Sequence, residues 1–290
     1  MNPEILLGLL LATVRMSLPI LFAASGGYFS EKSGVAQIAL EAYLLIGAFT
    51  AAAVTYQTQS LILGYVAAGL VAAAMAQIFN VLIFKFKANS IVVGTGMNLL
   101  AMGMIPIVSK TLFESTGSTP ALDTSEQALT NSLYMVTCVT ILMMGLCYWI
   151  AEKSNWGLQV KFAGEKSEAL TSVGVSPIVR RWQAVTLCAL ITGIGGAILS
   201  TYLASSYSPL MSAGRGFIAL AAVIFAGWSL RKAWLVVLFF GFAEAIQIQV
   251  QNMNLAVKIP NEFIQTLPYL ATLVALLILR NKQQAPKEIS

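Results

Sequence analysis

The sequence predicts an all-α polytopic membrane protein with about nine transmembrane helices, in a range of eight to ten. Three observations carry that fold class. Apolar residues make up 58% of the 290 positions and charged residues only 10%, whereas an average soluble domain is roughly 25% charged. Nine separate stretches approach the ~20 apolar residues that a crossing helix needs. The basic residues gather in alternate loops, as short loops on one side of a membrane do. Mean hydropathy is +0.79, more apolar surface than one soluble core hides.

In chain order the candidate spans lie near 5–25, 34–56, 61–84, 90–113, 131–151, 183–204, 214–229, 232–251 and 264–280. The N-terminal stretch MNPEILLG lacks the basic n-region of a cleavable leader and its apolar run is long enough to span, so a true span is expected there. The stretch near 214–229 is short and reads as a broken or partly re-entrant element. The tail at 281–290 is short and polar and is expected to be mobile. The whole chain, 1–290, reads as a single transmembrane domain.

The one long polar segment, 152–182, sets the orientation. It holds Lys153, Lys161, Lys166, Arg180 and Arg181, and short basic loops stay on the cytoplasmic side. With that loop inside, Lys32, Lys85, Lys87, Arg231, Lys232, Arg280, Lys282 and Lys287 also fall inside. Lys110, Arg215 and Lys258 fall outside, and Arg15 lies within a span. The outer loop near 114–130 carries Glu114, Asp123 and Glu126 with no Lys or Arg. The N-terminus is therefore expected outside and the C-terminus inside. Within the polar segment, 166–175 is rich in helix formers. Ala169, Leu170 and Val173 are available for one apolar face, and Gly174 and Pro177 act as stop signals. The segment reads as a docking element or as a solvated connector.

An internal echo relates the two ends. Gly34, Ile38, Ala39, Leu40, Ala42 and Gly47 recur 180 positions later as Gly214, Ile218, Ala219, Leu220, Ala222 and Gly227. On the expected topology the second and seventh spans run in opposite directions. The echo therefore reads as an inverted-topology repeat with halves of about 5–113 and 183–280, an architecture found in many transporters.

Charges inside spans are rare because each costs about 2.5–3.5 kcal/mol at a helix centre. The candidates here are Arg15, Glu41 and Glu244. Counted at 1.5 Å per residue, Arg15 and Glu41 lie at roughly 15 and 12 Å from the inner face, so an ion pair locking the first hairpin is expected. Glu244 shares a helical face with Gln247, and Asn98 sits at similar depth in the fourth span. These three line a polar path for a hydroxylated solute, or they form interhelical hydrogen bonds; both readings are open at this point. The glycines at 193, 195 and 196, like Gly94 and Gly96, most often mean close helix contact.

Composition excludes several classes. Histidine is absent, which removes the commonest general base and metal ligand. Cys138, Cys147 and Cys188 lie in spans at no metal-like spacing. No GxxxxGK[ST] loop occurs, so any ATP-driven work needs another subunit. The basic balance belongs to the loops, and lipids rather than nucleic acid are the expected surroundings.

The stretches GGYFSEKSGVAQIALEAYLLIGAF, ANSIVVGTGMNLLAMG, VKFAGEKSEALTSVGVS and GRGFIALAAVIFAGW closely resemble permease subunits of bacterial ABC importers for nucleosides and simple sugars. These form the branched-chain amino acid and ribose permease superfamily. The resemblance covers most of the chain, is weakest at 114–150 and at the C-terminus, and is nearest to the shorter of two permeases in nucleoside importers that use a lipoprotein receptor. It implies a bacterial cytoplasmic-membrane protein with no cofactor of its own, and ATP and Mg on a cytoplasmic ATPase subunit. It also implies a second permease as heterodimer partner and an external substrate-binding lipoprotein. Carried onto this chain, 163–175 resembles the ATPase-coupling segment, with Gly164, Glu165, Glu168, Ala169 and Gly174 at family-like positions and Leu170 between them. Two rivals remain: a proton-coupled secondary transporter using Glu41 or Glu244, and a permease for branched-chain amino acids.

Overall fold

The computed structural model describes residues 3–122, 133–252 and 285–288. The expected span at 264–280, Gln284 and the residues from 123 to 132 lie outside the described residues. Among those described, every regular element is helical. They are α1 (Pro3–Lys32), α2 (Leu40–Thr58), α3 (Leu61–Asn80), α4 (Ser90–Phe113), α5 (Leu133–Lys153), α6 (Asn155–Glu165), α7 (Ser167–Ser172), α8 (Pro177–Ala197), α9 (Arg215–Phe225) and α10 (Leu230–Asn252). Wider π-helical turns extend α3 through Val81–Lys85 and α8 through Ile198–Leu203.

Among the described residues, six helical stretches are long and apolar enough to cross a bilayer: Leu6–Lys32, Leu61–Lys85, Ser90–Phe113, Val136–Lys153, Pro177–Leu203 and Leu230–Gln251. The α2 helix has 19 residues but carries Glu41, Tyr43 and several threonines. It tolerates them because it is sheathed by protein. Nearly every residue from Leu40 to Ala53 is buried, against α3, α4, α8 and α9. At 11 residues, α9 spans only about 16 Å, half a bilayer core, in keeping with the broken element expected near 214–229.

The packing is tightest around α8, which sits between α1, α2 and α3. A Cβ on Gly193 would lie 2.6 Å from the Ala68 carbonyl oxygen, and one on Gly195 2.7 Å from the Phe22 Cβ. On Gly196 it would lie 2.2 Å from the Leu44 carbonyl oxygen. Three glycines thus admit three neighbouring backbones. Small residues serve this purpose where lipid tails remove the hydrophobic drive between helices.

Two element boundaries differ from expectation. The first span was expected to end at 25, before the Gly26–Gly27 pair, yet α1 continues to Lys32. Gly26 lies against the Cys188 carbonyl and Gly27 against Leu40, so tertiary packing holds helical turns that propensity alone disfavours. The helix stops at Gly34, whose φ of +90° is left-handed, with Val35 N donating back to Ser30 O at 3.2 Å. Residues 35–39 are irregular, and α2 begins only at Leu40. Gly214 is also left-handed, at φ +81°, but there the helix starts at once. The two echoed segments therefore share their leading glycine conformation while their helices start at different offsets.

The connections that follow α4 and α8 are tied to each other. Thr119 N donates to Tyr207 O at 3.1 Å, and Leu122 N donates to Ser205 O at 2.9 Å. Tyr207 N donates to the Thr119 hydroxyl at 2.9 Å.

Candidate translocation path and coupling face

Arg15 and Glu41 do not pair. The longer α1 places Arg15 seventeen residues from its end, or about 25 Å along the axis. Its guanidinium there lies 5.3 Å from the centre of the Tyr202 ring on the α8 extension, a cation–π contact, and the residue is exposed. The expected depth match failed because it assumed a helix end seven residues too early.

Glu41 does different work. One carboxylate oxygen accepts from Gly214 N at 2.9 Å and from the Ser212 hydroxyl, and the other accepts from Gly216 N at 2.8 Å. These donors form the N-terminus of α9, where unpaired N–H groups and the helix dipole favour an anion. Gly216 is required for this approach, since a Cβ there would lie 2.4 Å from Glu41 N. Glu31 holds the opposite end of α9, accepting from the Trp228 indole at 3.1 Å and from Gln37 N at 2.8 Å. The short helix is strung between two buried carboxylates. Glu31 escaped sequence reasoning because it was assigned to a loop beyond the first span.

Asn98 stands next to this lock. Its side-chain oxygen accepts from Ala42 N at 2.9 Å and its amide donates to Ile38 O at 3.0 Å. Ala39, at the start of α2, has no capping side chain, so α4 supplies the cap from outside. Asn98 is almost fully buried and serves helix α2.

Glu244 belongs to another cluster. It forms an ion pair with Arg215, the first residue of α9, whose guanidinium also donates to Met211 O at 3.1 Å. Arg215 was expected in an outer loop. The chain through 204–214 instead returns to bring Arg215 onto α10. Both side chains are largely buried, at 13% and 17% exposure. Among the described residues, Arg215 Nε and the second Glu244 carboxylate oxygen are buried without a hydrogen-bond partner. Gln247, one turn along α10, is half-buried. Gln247 thus lies on the face of the Arg215–Glu244 pair, whereas the Asn98 side-chain hydrogen bonds go to Ala42 and Ile38.

The polar segment folds as α6 and α7. Gly164, near the end of α6, packs against the turn after α1, where a Cβ would be 2.3 Å from Lys32 O, and Glu165 pairs with Lys32 at 2.6 Å. Glu168 and Ala169 are exposed at the start of α7. Leu170 is buried, so it anchors the segment rather than tipping a docking face. Gly174 ends the turn with φ +77° and open space around it, as its stop role requires. Among the described residues, the exposed large apolar residues of this region are Leu158 and Phe162 on α6 and Val173, Ile178 and Val179 beyond α7. The chain's Glu288 reaches the same region: its carboxylate accepts from Ser167 N at 3.0 Å, from the Ser167 hydroxyl and from Arg181. Burial pushes its acidity the other way, but these hydrogen bonds and the Arg181 charge outweigh it and hold the carboxyl below the usual range.

The family model described as the branched-chain amino acid transport system permease component matches residues 9–279. The chain belongs to that family. Among curated relatives, the permease is 29% identical to a guanosine ABC transporter permease of Bacillus subtilis, over 95% of this chain and 93% of the relative. It is 27% identical to a nucleoside ABC transporter permease of Lactococcus lactis, over 93% and 92%. It is 28% identical to a putative glucose ABC transporter permease of Haloferax volcanii, over 93% and 90%. No solved structure matches the permease. Family membership and the six apolar helices make it a multi-pass protein of the inner membrane, the permease component of an ABC transporter whose ATPase is a separate subunit. Such a component works with that ATPase and with a substrate-binding protein.

Proposed function

We propose that the permease forms half of the membrane pathway of an ATP-driven importer for nucleosides or simple sugars, paired with a second, different permease. The carrying observation is that relatives named for guanosine, nucleoside and glucose transport align over nearly the whole chain. The topology fitting this reading has nine crossings, with the N-terminus outside and the C-terminus inside. The six apolar helices, α2, the half-length α9 and the stretch at 264–280 make up the nine. The repeat halves of about 5–113 and 183–280 then meet at the Glu41 lock. ATP and Mg belong to the partner ATPase. That ATPase docks on the α6–α7 segment, where Gly164 and Glu165 seat the segment on α1, Glu168, Ala169 and Val173 meet the partner, and Leu170 anchors it. An extracytoplasmic lipoprotein delivers substrate to the tied loops at 114–122 and 204–214.

In this reading the Arg215–Glu244 pair and Gln247 touch the path, because the pair keeps a carboxylate oxygen and an Nε unpartnered among the described residues and suited to hydroxyl groups. Glu41 and Asn98 shape it indirectly by fixing where α9 and α2 begin. Purification from native membranes in mild detergent should recover an ATPase, a second permease and a lipoprotein, whose bound ligand names the cargo. Recovery of this chain alone, under conditions that hold ABC complexes together, overturns the reading. Glu244→Gln should keep assembly while weakening uptake about tenfold, the worth of one hydrogen bond to a charged group. Loss of assembly in that variant would make the pair purely architectural.

A further inference from the structure

The tail at 281–290 has the composition of a free end, yet 285–288 is docked. Pro286 is buried, and Glu288 N donates to Gly164 O at 3.1 Å. The Glu288 carbonyl lies 3.1 Å from the position a Cβ on Gly34 would take, so the tail fills the notch that this glycine leaves. The Glu288 carboxylate holds Ser167, the first residue of α7, by both N–H and hydroxyl, and pairs with Arg181 in the first turns of α8. Arg181 extends the network, donating to Ser33 O at 3.1 Å and to Ala163 O at 2.7 Å. Four pieces of chain meet there: the end of α1, the α6–α7 junction, the start of α8 and the tail.

We propose that Glu288 is a positioning residue for energy coupling: the tail is a strap that locks the ATPase-docking segment to α1 and α8. This inference rests on the importer reading given above. A short helix such as α7, six residues long, has little stability of its own. Push from a docked ATPase moves the pathway helices only if the segment is rigidly joined to them, since coupling travels through elements with discrete packed arrangements. The α1 and α8 helices are the right recipients, because α8 packs on α1, α2 and α3 at once. The two acceptor oxygens of Glu288 join the docking segment to α8 in one contact. Without them, α7 is free to tilt while the nucleotide cycle continues.

The test uses the complete importer in proteoliposomes, with its ATPase, partner permease and loaded receptor. Wild type is compared with Glu288→Ala, Glu288→Gln and a chain ending at residue 284. Solute taken up and ATP hydrolysed are measured together. The strap predicts normal assembly and sustained hydrolysis, with uptake per ATP falling about tenfold in Glu288→Ala and the truncation. Glu288→Gln, which keeps an acceptor but loses the charge, should fall between them and wild type. Unchanged uptake per ATP in Glu288→Ala and the truncation overturns the proposal. So does failure of all three variants to assemble, which would make the tail a folding element. If the wild-type complex itself shows no receptor-driven uptake, the importer reading falls, and the strap with it.

Discussion

Asn98 and Glu41 show how single buried polar groups decide where helices begin. Neither α2 nor α9 has a capping side chain of its own, and water is not at hand to satisfy their first N–H groups. A neighbouring helix supplies each cap: Asn98 for α2, Glu41 for α9. Removing an acceptor from a buried N–H costs about 1–3 kcal/mol. Asn98→Ala should therefore lower the melting temperature of the purified complex, and Glu41→Gln should lower it further, because it turns an amide NH2 toward donors. An unchanged melting temperature in both would mean that these contacts carry no weight. The three intramembrane charges were legible as special from their rarity alone. Their partners were not, because a depth count needs a known helix end, and the Gly26–Gly27 pair looks like one when neighbouring backbones are invisible.

Among the elements, α8 is the keystone because its glycines admit other backbones. Gly196→Ala would press a methyl group into the Leu44 carbonyl, and overpacking of that kind costs typically 1–3 kcal/mol. Gly96→Ala on α4 meets nothing within 4 Å and should be neutral or slightly stabilising, since glycine disfavours a helix. Detergent-solubilised yield and thermal unfolding of the two variants check this contrast; equal behaviour would contradict it. Close packing by Gly193, Gly195 and Gly196 was readable from sequence, but which helix each one meets was not, and Gly96, read the same way, meets nothing within 4 Å. The short α9 was also visible in advance, as a stretch below crossing length. Its anchoring by Glu31 and Glu41 was hidden, since both contacts join residues more than 170 positions apart.

For the molecule as a whole, the apolar composition and the single polar segment were enough to expect a helical membrane protein with one docking loop. The described helices and the family match agree with the helical membrane protein. Composition could not place Glu288, because a polar tail reads as free whether or not an arginine and a helix start await it. Nor could it show that Leu170 turns inward while Val173 remains 70% exposed. The central claim is that this exposed edge is where an ATPase pushes. A photo-crosslinking residue placed at Val173 in native membranes, with Val139 on the exposed face of α5 as control, tests it most directly. The account predicts an adduct with an ATPase subunit at position 173 and none at 139. No ATPase adduct at 173 in a complex that still takes up solute would contradict it.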